Sequence, residues 1–435
     1  MNNFEKDIDT VMPTFCAIPF VSMVVNTDAS IQPCCMMKRN THRLKSDQGV
    51  NLTIKDKLAD AWNSQEMKKI RTAMVNGVPL EGCKVCYLQE SSGRTSNRQF
   101  SNGEWSKKVD LYKLIDQAVL NGGELDYSIA YLDLRLGNLC NLKCRMCSPF
   151  NSSQIAKEHI ELEQKDSKYK TVWAKSFGIF DKRIMDVQPW FDGDLLWDQI
   201  IDLIPDLKKV YMTGGEPTLI QNNFKFMDEC IRRGRRDMLL FFNTNCTNVN
   251  KKFTNLIGQF SQVNINASVD GTGIVNDYIR APSNWDQISK NVETLAQMPN
   301  VHLGVTPTVQ IYNVFNLIDT LKWVDGLNAK YKKRIFIDFL INVHPAHLSV
   351  SILPDEIRTK VANDLIAYRD ANFNNTTPEL TRNSVNGIIG LLQKPRAIDW
   401  EEQMRRFKDY THSLDVERNQ SIRDVSTELA DLINE

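Results

Sequence analysis

From about residue 129 onward, apolar runs of strand length alternate with amphipathic stretches of helix length, and this rhythm most constrains the fold. The apolar runs are Ile129–Leu136, Lys209–Thr213, Met238–Thr244, Val263–Val269, Val301–Val309 and Ile335–Val343. The helix-like stretches between them include Asn222–Arg232, Lys251–Phe260, Asn284–Gln297 and Val314–Leu327. This βα alternation predicts an α/β protein with a parallel sheet, rolled into a partial (β/α)6 barrel and covered by helices. In such barrels the chemistry lies on loops that follow the C-terminal ends of strands.

The alternation divides the 435-residue chain into predicted domains. We predict a small cysteine-rich domain at 1–128, the barrel at 129–350 with an insertion at 148–208, and a helical extension at 351–435. The insertion is longer than a crossover needs. It forms either a lid or substrate wall, or a helical hairpin that packs its tryptophans Trp173, Trp190 and Trp197.

The charge balance gives no general reason to expect nucleic acid or anionic lipid as a partner. The 53 basic residues equal the 53 acidic ones. We interpret the basic runs 232–236 and 330–334 as solvated helix ends. No apolar run approaches the ~20 residues of a membrane span, and the polar start MNNFEKDIDT is not typical of a signal peptide. We therefore expect a cytoplasmic protein that binds neither membrane nor nucleic acid.

The cysteines are clustered. Eight of the ten form two groups: Cys16, Cys34, Cys35, Cys83 and Cys86, and then Cys140, Cys144 and Cys147. In a reducing compartment a disulfide framework is not expected, and short spacings favour metal or iron–sulfur ligation. The second group, CNLKCRMC, directly follows the first predicted barrel strand. Three thiolates hold three irons of a [4Fe–4S] cube and leave the fourth open, whereas structural zinc takes four protein ligands.

This C-x3-C-x2-C loop resembles the signature of the radical S-adenosylmethionine (SAM) enzymes. In that family the open iron chelates the amino and carboxylate groups of SAM. The reduced cluster cleaves the sulfonium, and the 5′-deoxyadenosyl radical abstracts a hydrogen from the substrate. The resemblance implies that Cys140, Cys144 and Cys147 are the catalytic cluster ligands and that Met146 lies near the adenine.

The end of the second barrel strand continues the resemblance. The sequence YMTGGEP is similar to the GGEP motif of the family, which implies a SAM-binding role for Gly214, Gly215, Glu216 and Pro217. Glycines let a backbone approach a ligand closely, and the Glu216 carboxylate is suited to accept hydrogen bonds from the methionine amino group.

Two further strand ends match the family. The sequence FFNTNCT implies that Asn243 and Asn245 lie near the ribose, and Cys246 stands where a glycine often stands. The later sequence NASVDG, followed by NDYIR, is similar to the "S-x-D-G … I-R" pattern of the peptide-modifying branch. It implies that Ser268 and Arg280 contact the SAM carboxylate, which suits a guanidinium fork.

The N-terminal cysteines resemble the auxiliary-cluster modules called SPASM and twitch. The spacing C-x12-G-x4-C is present except that Ala29 occupies the glycine position, and the sequence EGCKVC follows. The resemblance implies that Cys16, Cys34, Cys83 and Cys86 close a second [4Fe–4S] cluster, with Cys35 as a spare or alternative ligand. A structural zinc site of the ribbon type is the alternative for these four thiolates.

The sequence thus predicts a radical SAM enzyme with two [4Fe–4S] clusters. We expect a flavodoxin- or ferredoxin-type reductant as the protein that supplies their electrons. Its expected substrate is a peptide, a protein or a small amino-acid-like molecule, and the outcome is epimerisation, crosslinking or oxidation. One alternative is radical modification of a nucleotide, sugar or nucleic acid; another is a non-catalytic zinc- or cluster-binding scaffold. Further acid–base candidates are His344, His347, Asp270 and Tyr278, for which a structural role is the commoner alternative.

Overall fold

The computed structural model describes residues 8–37, 42–91, 95–165 and 190–434. Its centre is an eight-stranded sheet with the order β2-β1-β3-β4-β5-β6-β7-β9. The strands are β1 Ser22–Val25, β2 Ile31–Gln32, β3 Tyr131–Leu136, β4 Lys209–Gly214, β5 Leu239–Thr244, β6 Val263–Ala267, β7 Val301–Val305, β8 Thr308–Val309, β9 Phe336–Ile337 and β10 Leu340–Ile341.

Strands β3, β4, β5, β6, β7 and β9 lie side by side in chain order and are all parallel. The predicted α/β class and parallel sheet of a partial barrel are confirmed. The last two predicted strands are each interrupted, and their second halves, β8 and β10, pair with each other as a separate sheet. Pro307 lies between β7 and β8 and has no N–H to donate to a ladder, which accounts for the first interruption.

Helices cover the sheet and continue to the C-terminus. They are α1 Ile8–Val11, α2 Ile18–Val21, α3 Leu58–Trp62, α4 Gln65–Val75, α5 Lys84–Ser91, α6 Asn97–Trp105, α7 Leu111–Leu120, α8 Ser153–Lys165, α9 Asp194–Leu203, α10 Gln221–Arg232, α11 Lys251–Ile257, α12 Ile274–Ile279, α13 Trp285–Gln297, α14 Leu317–Tyr331, α15 Asp355–Asn372, α16 Glu379–Leu392, α17 Trp400–Arg418 and α18 Thr427–Asn434. None of these described helices has the length and apolar character that a membrane crossing requires.

The barrel helices follow their sequence signals. In α13 the buried side chains Ile288, Val292 and Leu295 recur at helical spacing, so one stripe faces the sheet. Asn284 caps its first turn by accepting a hydrogen bond from the backbone N–H of Gln287.

The N-terminal region is joined to the barrel by strand pairing. Strand β1 lies parallel to β3, with Met23 opposite Leu132, so one sheet runs across the predicted boundary at residue 128. The domain boundaries themselves stay predictions. A buried cation holds the region together: Arg71 donates to the Pro19 carbonyl (2.8 Å) and stacks over the Trp62 ring at 4.3 Å.

The predicted insertion is described only at its two ends, α8 and α9. Trp173, and with it the choice between a lid and a helical hairpin, falls at 166–189, outside the described residues. Trp190 lies within them, and its Nε1 donates to the Thr27 carbonyl at 3.0 Å. This end of the insertion therefore contacts the N-terminal region rather than the barrel alone.

Candidate active site

The three-cysteine loop follows β3 at the C-terminal edge of the sheet, as predicted. Backbone hydrogen bonds fix its position: Lys143 donates to the Ala281 carbonyl (2.5 Å), and Arg145 donates to the Ile279 carbonyl (2.8 Å). The loop therefore lies against the chain that leaves α12.

A cavity of about 360 Å³ opens beside the loop. Its lining residues come from β3, β4, the cysteine loop and the end of α12. They are Arg135, Cys144, Met146, Cys147, Asn151, Tyr211, Thr213, Gly214 and Arg280. Two of the loop cysteines thus share one cavity with three predicted SAM contacts, Met146, Gly214 and Arg280. The roles of these residues stay predictions.

Cys144 is buried, Cys140 and Cys147 are partly exposed, and all three thiols favour the protonated form. Burial and the neighbouring Cys144 raise the pKa of Cys140 to about 12, and burial raises the pKa of Cys147 well above its usual value. Polar hydrogens nonetheless point at the sulfurs: Arg280 Nη1 lies 3.8 Å from Cys144 Sγ, and Leu142 N lies 3.5 Å from Cys140 Sγ. Thiols in such surroundings release their protons when a metal binds.

Arg280 is held by a buried carboxylate. Its Nε lies 2.8 Å from Asp270 Oδ2, and the side chains are 8% and 0% exposed. Burial raises the pKa of Asp270, an effect that Arg280 opposes. The other Asp270 oxygen accepts from the backbone N–H of Thr308 at 2.8 Å. Asp270 therefore orients the guanidinium, which is a positioning role rather than an acid–base one.

The glycines of the YMTGGEP turn let two backbones approach each other. Gly215 donates to the Gly137 carbonyl (3.0 Å), and Glu216 donates to the Leu139 carbonyl (2.8 Å). A Cβ at Gly215 would lie 2.1 Å from the Leu139 carbonyl oxygen. The end of β4 thus lies directly against the residues that lead into the cysteine loop, a contact that only glycine permits.

The Glu216 carboxylate ties neighbouring strand ends together. Its Oε1 accepts from the Thr218 and Thr244 hydroxyls, both at 2.7 Å, and its Oε2 accepts from the backbone N–H of Asn245 at 2.7 Å. Burial raises its pKa, and these donors lower it. The side chain lies behind the cavity wall, so its predicted contact with the SAM amino group stays a prediction.

Five further predicted contacts are not among the residues that line the cavity. They are Gly215, Pro217, Asn243, Asn245 and Ser268. Asn245 is adjacent to the cluster loop, because its Nδ2 lies 3.0 Å from Asn141 Oδ1 and 3.9 Å from Cys140 Sγ. Cys246 is fully buried with φ +59°, which explains why a glycine would suit this position.

The N-terminal cysteines line a second cavity. Cys16, Cys34, Cys83 and Cys86 all face it, whereas Cys35 lines a neighbouring one. Burial raises the pKa of Cys83 to about 11. Cys34 Sγ accepts from the backbone N–H of Met36 at 3.4 Å. Among the described residues, no group of three or more His, Cys, Asp or Glu side chains is arranged to hold a single metal ion.

Arg98 supports this second cavity. It is 3% exposed, lines the cavity, and pairs with Glu90 and with Asp9 at 2.8 Å each. Its Nη1 also donates to the Phe15 carbonyl, directly before Cys16. The module is thus organised around a buried cation whose charge is balanced by two carboxylates.

Four polar residues that line this cavity were not predicted from the sequence. They are Arg135, Asn151, Tyr211 and Thr213. For Arg135 the available signal was the alternation in YLDLRL, which places polar side chains on one face of β3.

The two histidines that were predicted as acid–base candidates lie in different settings. His347 is buried against the Tyr410 ring, and burial lowers its pKa to about 3. His344 lies on the surface.

The two basic runs lie at the ends of helices α10 and α14, and three of their side chains pair with carboxylates of the protein. Arg232 and Arg233 both pair with Glu229 at 2.5 Å, and Lys330 pairs with Glu293 at 2.9 Å.

Fold and site together define a parallel α/β protein with two separate cysteine sites, one of three thiols and one of four. Residues 16–87 match the family model of SPASM, an iron-sulfur cluster-binding domain. The predicted auxiliary module of the SPASM/twitch type, placed before the barrel, is thereby confirmed. No curated protein matches the chain.

Several solved structures are similar at low identity. The Streptococcus suis SuiB structure bound to precursor peptide SuiA is 10% identical, with a TM-score of 0.36 over 69% of this chain and 63% of that chain. SuiB bound to S-adenosylmethionine is 11% identical, with a TM-score of 0.35 over 76% and 65%. TYW1 with a lysine-pyruvate adduct is 14% identical, with a TM-score of 0.30 over 55% and 73%. The chain spans less than two thirds of both SuiB chains, and similarities of this size carry no functional argument.

Proposed function

We propose that this protein is a radical SAM enzyme that cleaves S-adenosylmethionine and abstracts a hydrogen atom from a peptide or amino-acid-like substrate. The observation that carries the proposal is the three-cysteine loop at the C-terminal end of β3, which opens onto a cavity of about 360 Å³. Cavities in this position are where parallel α/β barrels hold their reactions.

The donor set fits a [4Fe–4S] cluster with one open iron. Cys140, Cys144 and Cys147 supply three thiols, which are soft ligands suited to iron–sulfur clusters. When bound and reduced, such a cluster supplies the electron that cleaves SAM into methionine and a 5′-deoxyadenosyl radical. The match of residues 16–87 to an iron-sulfur cluster-binding domain supports iron–sulfur chemistry elsewhere in the same chain.

The residues of the chain bind and orient the SAM molecule. Arg280, held by Asp270, presents a fixed cation at the cavity wall, suited to the methionine carboxylate. Met146 and Gly214 leave an apolar surface and an exposed backbone for the nucleoside. Helix α17 supports the outer side of the loop through the Arg145–Asp415 ion pair and the Tyr410 hydroxyl, which donates to the Arg145 carbonyl.

The auxiliary module is proposed to hold a second, fully ligated [4Fe–4S] cluster on Cys16, Cys34, Cys83 and Cys86. A cluster with four protein ligands has no open iron, so its role is electron transfer or structural stability rather than SAM binding. A structural zinc at these cysteines is the competing assignment, and elemental analysis separates the two.

The test is anaerobic reconstitution followed by iron, sulfide and zinc analysis. We expect about eight irons per chain in the wild type and about four in the Cys140/Cys144/Cys147→Ala variant, from the iron count of two clusters. Dithionite-reduced wild type should convert SAM to 5′-deoxyadenosine and methionine, and the triple variant should not.

The control is a Cys230→Ala variant, because Cys230 is buried in α10 away from both sites. It should retain both the iron and the cleavage activity. Iron-loaded wild type that yields no 5′-deoxyadenosine would contradict the proposal and favour the scaffold alternative.

A further inference from the structure

We propose that Arg135 anchors a carboxylate of the substrate inside the active-site cavity. This inference rests on the proposed function and adds the chemical class of one substrate group. Arg135 lines the same cavity as Cys144 and Cys147, yet it belongs to none of the motifs that the SAM site accounts for.

The neighbours of Arg135 leave one edge of its guanidinium available. Its Nε and Nη2 lie 3.2 Å from the two oxygens of Asp133. A guanidinium carries five N–H groups, so this side-on pair uses two of them. Nη1 has no hydrogen-bond partner among the described residues. The end-on edge, formed by Nη1 and the second N–H of Nη2, is the geometry that binds a carboxylate in a fork.

The sheet fixes the position of the Asp133–Arg135 ion pair. Asp133 is 1% exposed and Arg135 is 29% exposed, so the carboxylate is buried and the cation reaches the open space. The register of the sheet places Arg135 beside Thr213 and Asp133 beside Tyr211 on β4. Arg135, Thr213 and Tyr211 all line the cavity, which gives a substrate carboxylate a cation flanked by hydroxyl groups.

The location suits a substrate rather than a structural ion. Asp133 lines the neighbouring cavity together with Cys35, the cysteine that follows a predicted auxiliary-cluster ligand. The Asp133–Arg135 pair thus lies between the two cysteine sites. A substrate held there lies in the cavity beside the three-cysteine loop and next to the N-terminal cysteine-rich module.

Charge favours a single carboxylate over a phosphate dianion. The cationic charge of Arg135 is already balanced by Asp133, and that of Arg280 by Asp270. Thiolates bound to a cluster add negative charge to the same cavity. A dianion would meet more repulsion than a carboxylate, while the forked hydrogen bonds remain available to both.

The experiment compares three peptide libraries on the reconstituted holoenzyme with SAM. The first contains short peptides without acidic side chains and with a free C-terminal carboxylate, the second has amidated C-termini, and the third is amidated and carries phosphoserine. Retention on the enzyme is measured by mass spectrometry after ultrafiltration. The enzymes are wild type, Arg135→Gln, Arg135→Lys and, as a surface control, Arg232→Gln, whose side chain is 70% exposed.

We expect the free-acid library to be retained in preference to the amidated one. Arg135→Gln should lower this retention at least about tenfold, because it removes a charge-assisted hydrogen bond to the peptide carboxylate. Arg135→Lys should retain part of it, and Arg232→Gln all of it. Iron content should remain at the wild-type level in Arg135→Lys and Arg135→Gln, which shows that both variants fold and load their clusters.

Several results would overturn the inference. These are equal retention of acid and amide, preference for phosphoserine, no retention of any library, or retention unaffected by Arg135→Gln. Loss of peptide-free SAM cleavage in both Arg135 variants would instead place Arg135 in the SAM site. If wild type itself fails to cleave SAM, the proposed function fails, an outcome distinct from the loss of peptide binding alone.

Discussion

Arg145 Nη2 lies 2.6 Å from Asp415 Oδ1, and this contact joins the cysteine loop to helix α17 across 270 residues of sequence. Arg145 is fully buried and stacks on the Tyr278 ring at 3.6 Å. Tyr410 of the same helix donates its hydroxyl to the Arg145 carbonyl at 2.5 Å. The C-terminal extension is therefore the outer support of the three-cysteine loop.

Removing the carboxylate at Asp415 should loosen the cysteine loop. An Asp415→Ala variant leaves the Arg145 cation buried without its partner, which costs about 3 kcal/mol of unfolding free energy. We expect reconstituted protein to lose irons at the loop while the N-terminal module keeps about four. Thermal unfolding and iron analysis check this.

Glu417→Gln is the matched control for Asp415. Glu417 lies on the same helix but pairs with Lys165, whose side chain is 60% exposed, so its loss should change the unfolding free energy far less than Asp415→Ala does. Equal effects of the two variants would show that the loop does not depend on the buried pair.

Gly215→Ala should prevent β4 from lying against the cysteine loop. The new methyl group would meet the Leu139 carbonyl oxygen at 2.1 Å, so one backbone must move, at a cost of about 3 kcal/mol. Iron bound at the loop should fall with it. Gly326→Ala, within helix α14 and with open space around it, should instead stabilise by up to about 1 kcal/mol. A stable, fully loaded Gly215→Ala protein would disprove the close-approach argument.

Ala29→Gly should stabilise the N-terminal module. Ala29 has φ +67°, a left-handed conformation that costs a residue with a Cβ about 1 kcal/mol. Glycine removes this strain, so the midpoint of thermal unfolding should rise. Ala59→Gly in helix α3 should lower it, because glycine weakens a helix by about 1 kcal/mol. A decrease in both variants would mean that the turn does not strain alanine.

Cys35 should be dispensable for the auxiliary cluster, because it faces a different cavity from the other four cysteines. Cys35→Ala should keep the iron content of the wild type, whereas Cys34→Ala should lose about four irons. Iron and sulfide analysis after reconstitution makes the comparison. If Cys35→Ala loses iron and Cys34→Ala keeps all of it, then Cys35 rather than Cys34 is the cluster ligand.

Acid should destabilise the protein through His347. Burial lowers its pKa from 6.5 to about 3, so below pH 6.5 the unfolded chain binds a proton that the folded chain does not. The stability present above pH 6.5 is lost as the pH falls toward 3, at up to about 1.4 kcal/mol per pH unit. Unfolding at pH 7 and pH 5 should show a smaller difference in His347→Phe than in wild type. Identical pH dependence in both proteins would exclude His347 as the source.

The parallel barrel strands and the position of the three-cysteine loop at a strand end were predictable because their signals are local. Apolar runs and helical periodicity fix where strands and helices form, and parallel strands bring their following loops to one edge. The N-terminal module was likewise recognisable from short stretches of chain. These stretches give the spacing of its cysteines and show that Ala29 stands in the glycine position.

Other features depended on contacts between distant segments. The pairing of β1 with β3 and the partner of Arg145 involve residues separated by more than a hundred positions. The glycines of YMTGGEP were expected to approach a ligand, and the structure shows that they permit contact between two backbones. No local pattern distinguishes these cases, because both require a small residue.

The sequence by itself determined the main barrel strands and helices and the grouping of the cysteines, since backbone propensity, periodicity and residue spacing are properties of neighbouring residues. The tertiary structure decided which charges meet. Asp270 with Arg280 and Asp415 with Arg145 are brought together by packing, whereas Asp133 and Arg135 already share one face of a strand. A buried charge must find a partner wherever the fold places one, and only the folded chain specifies that place.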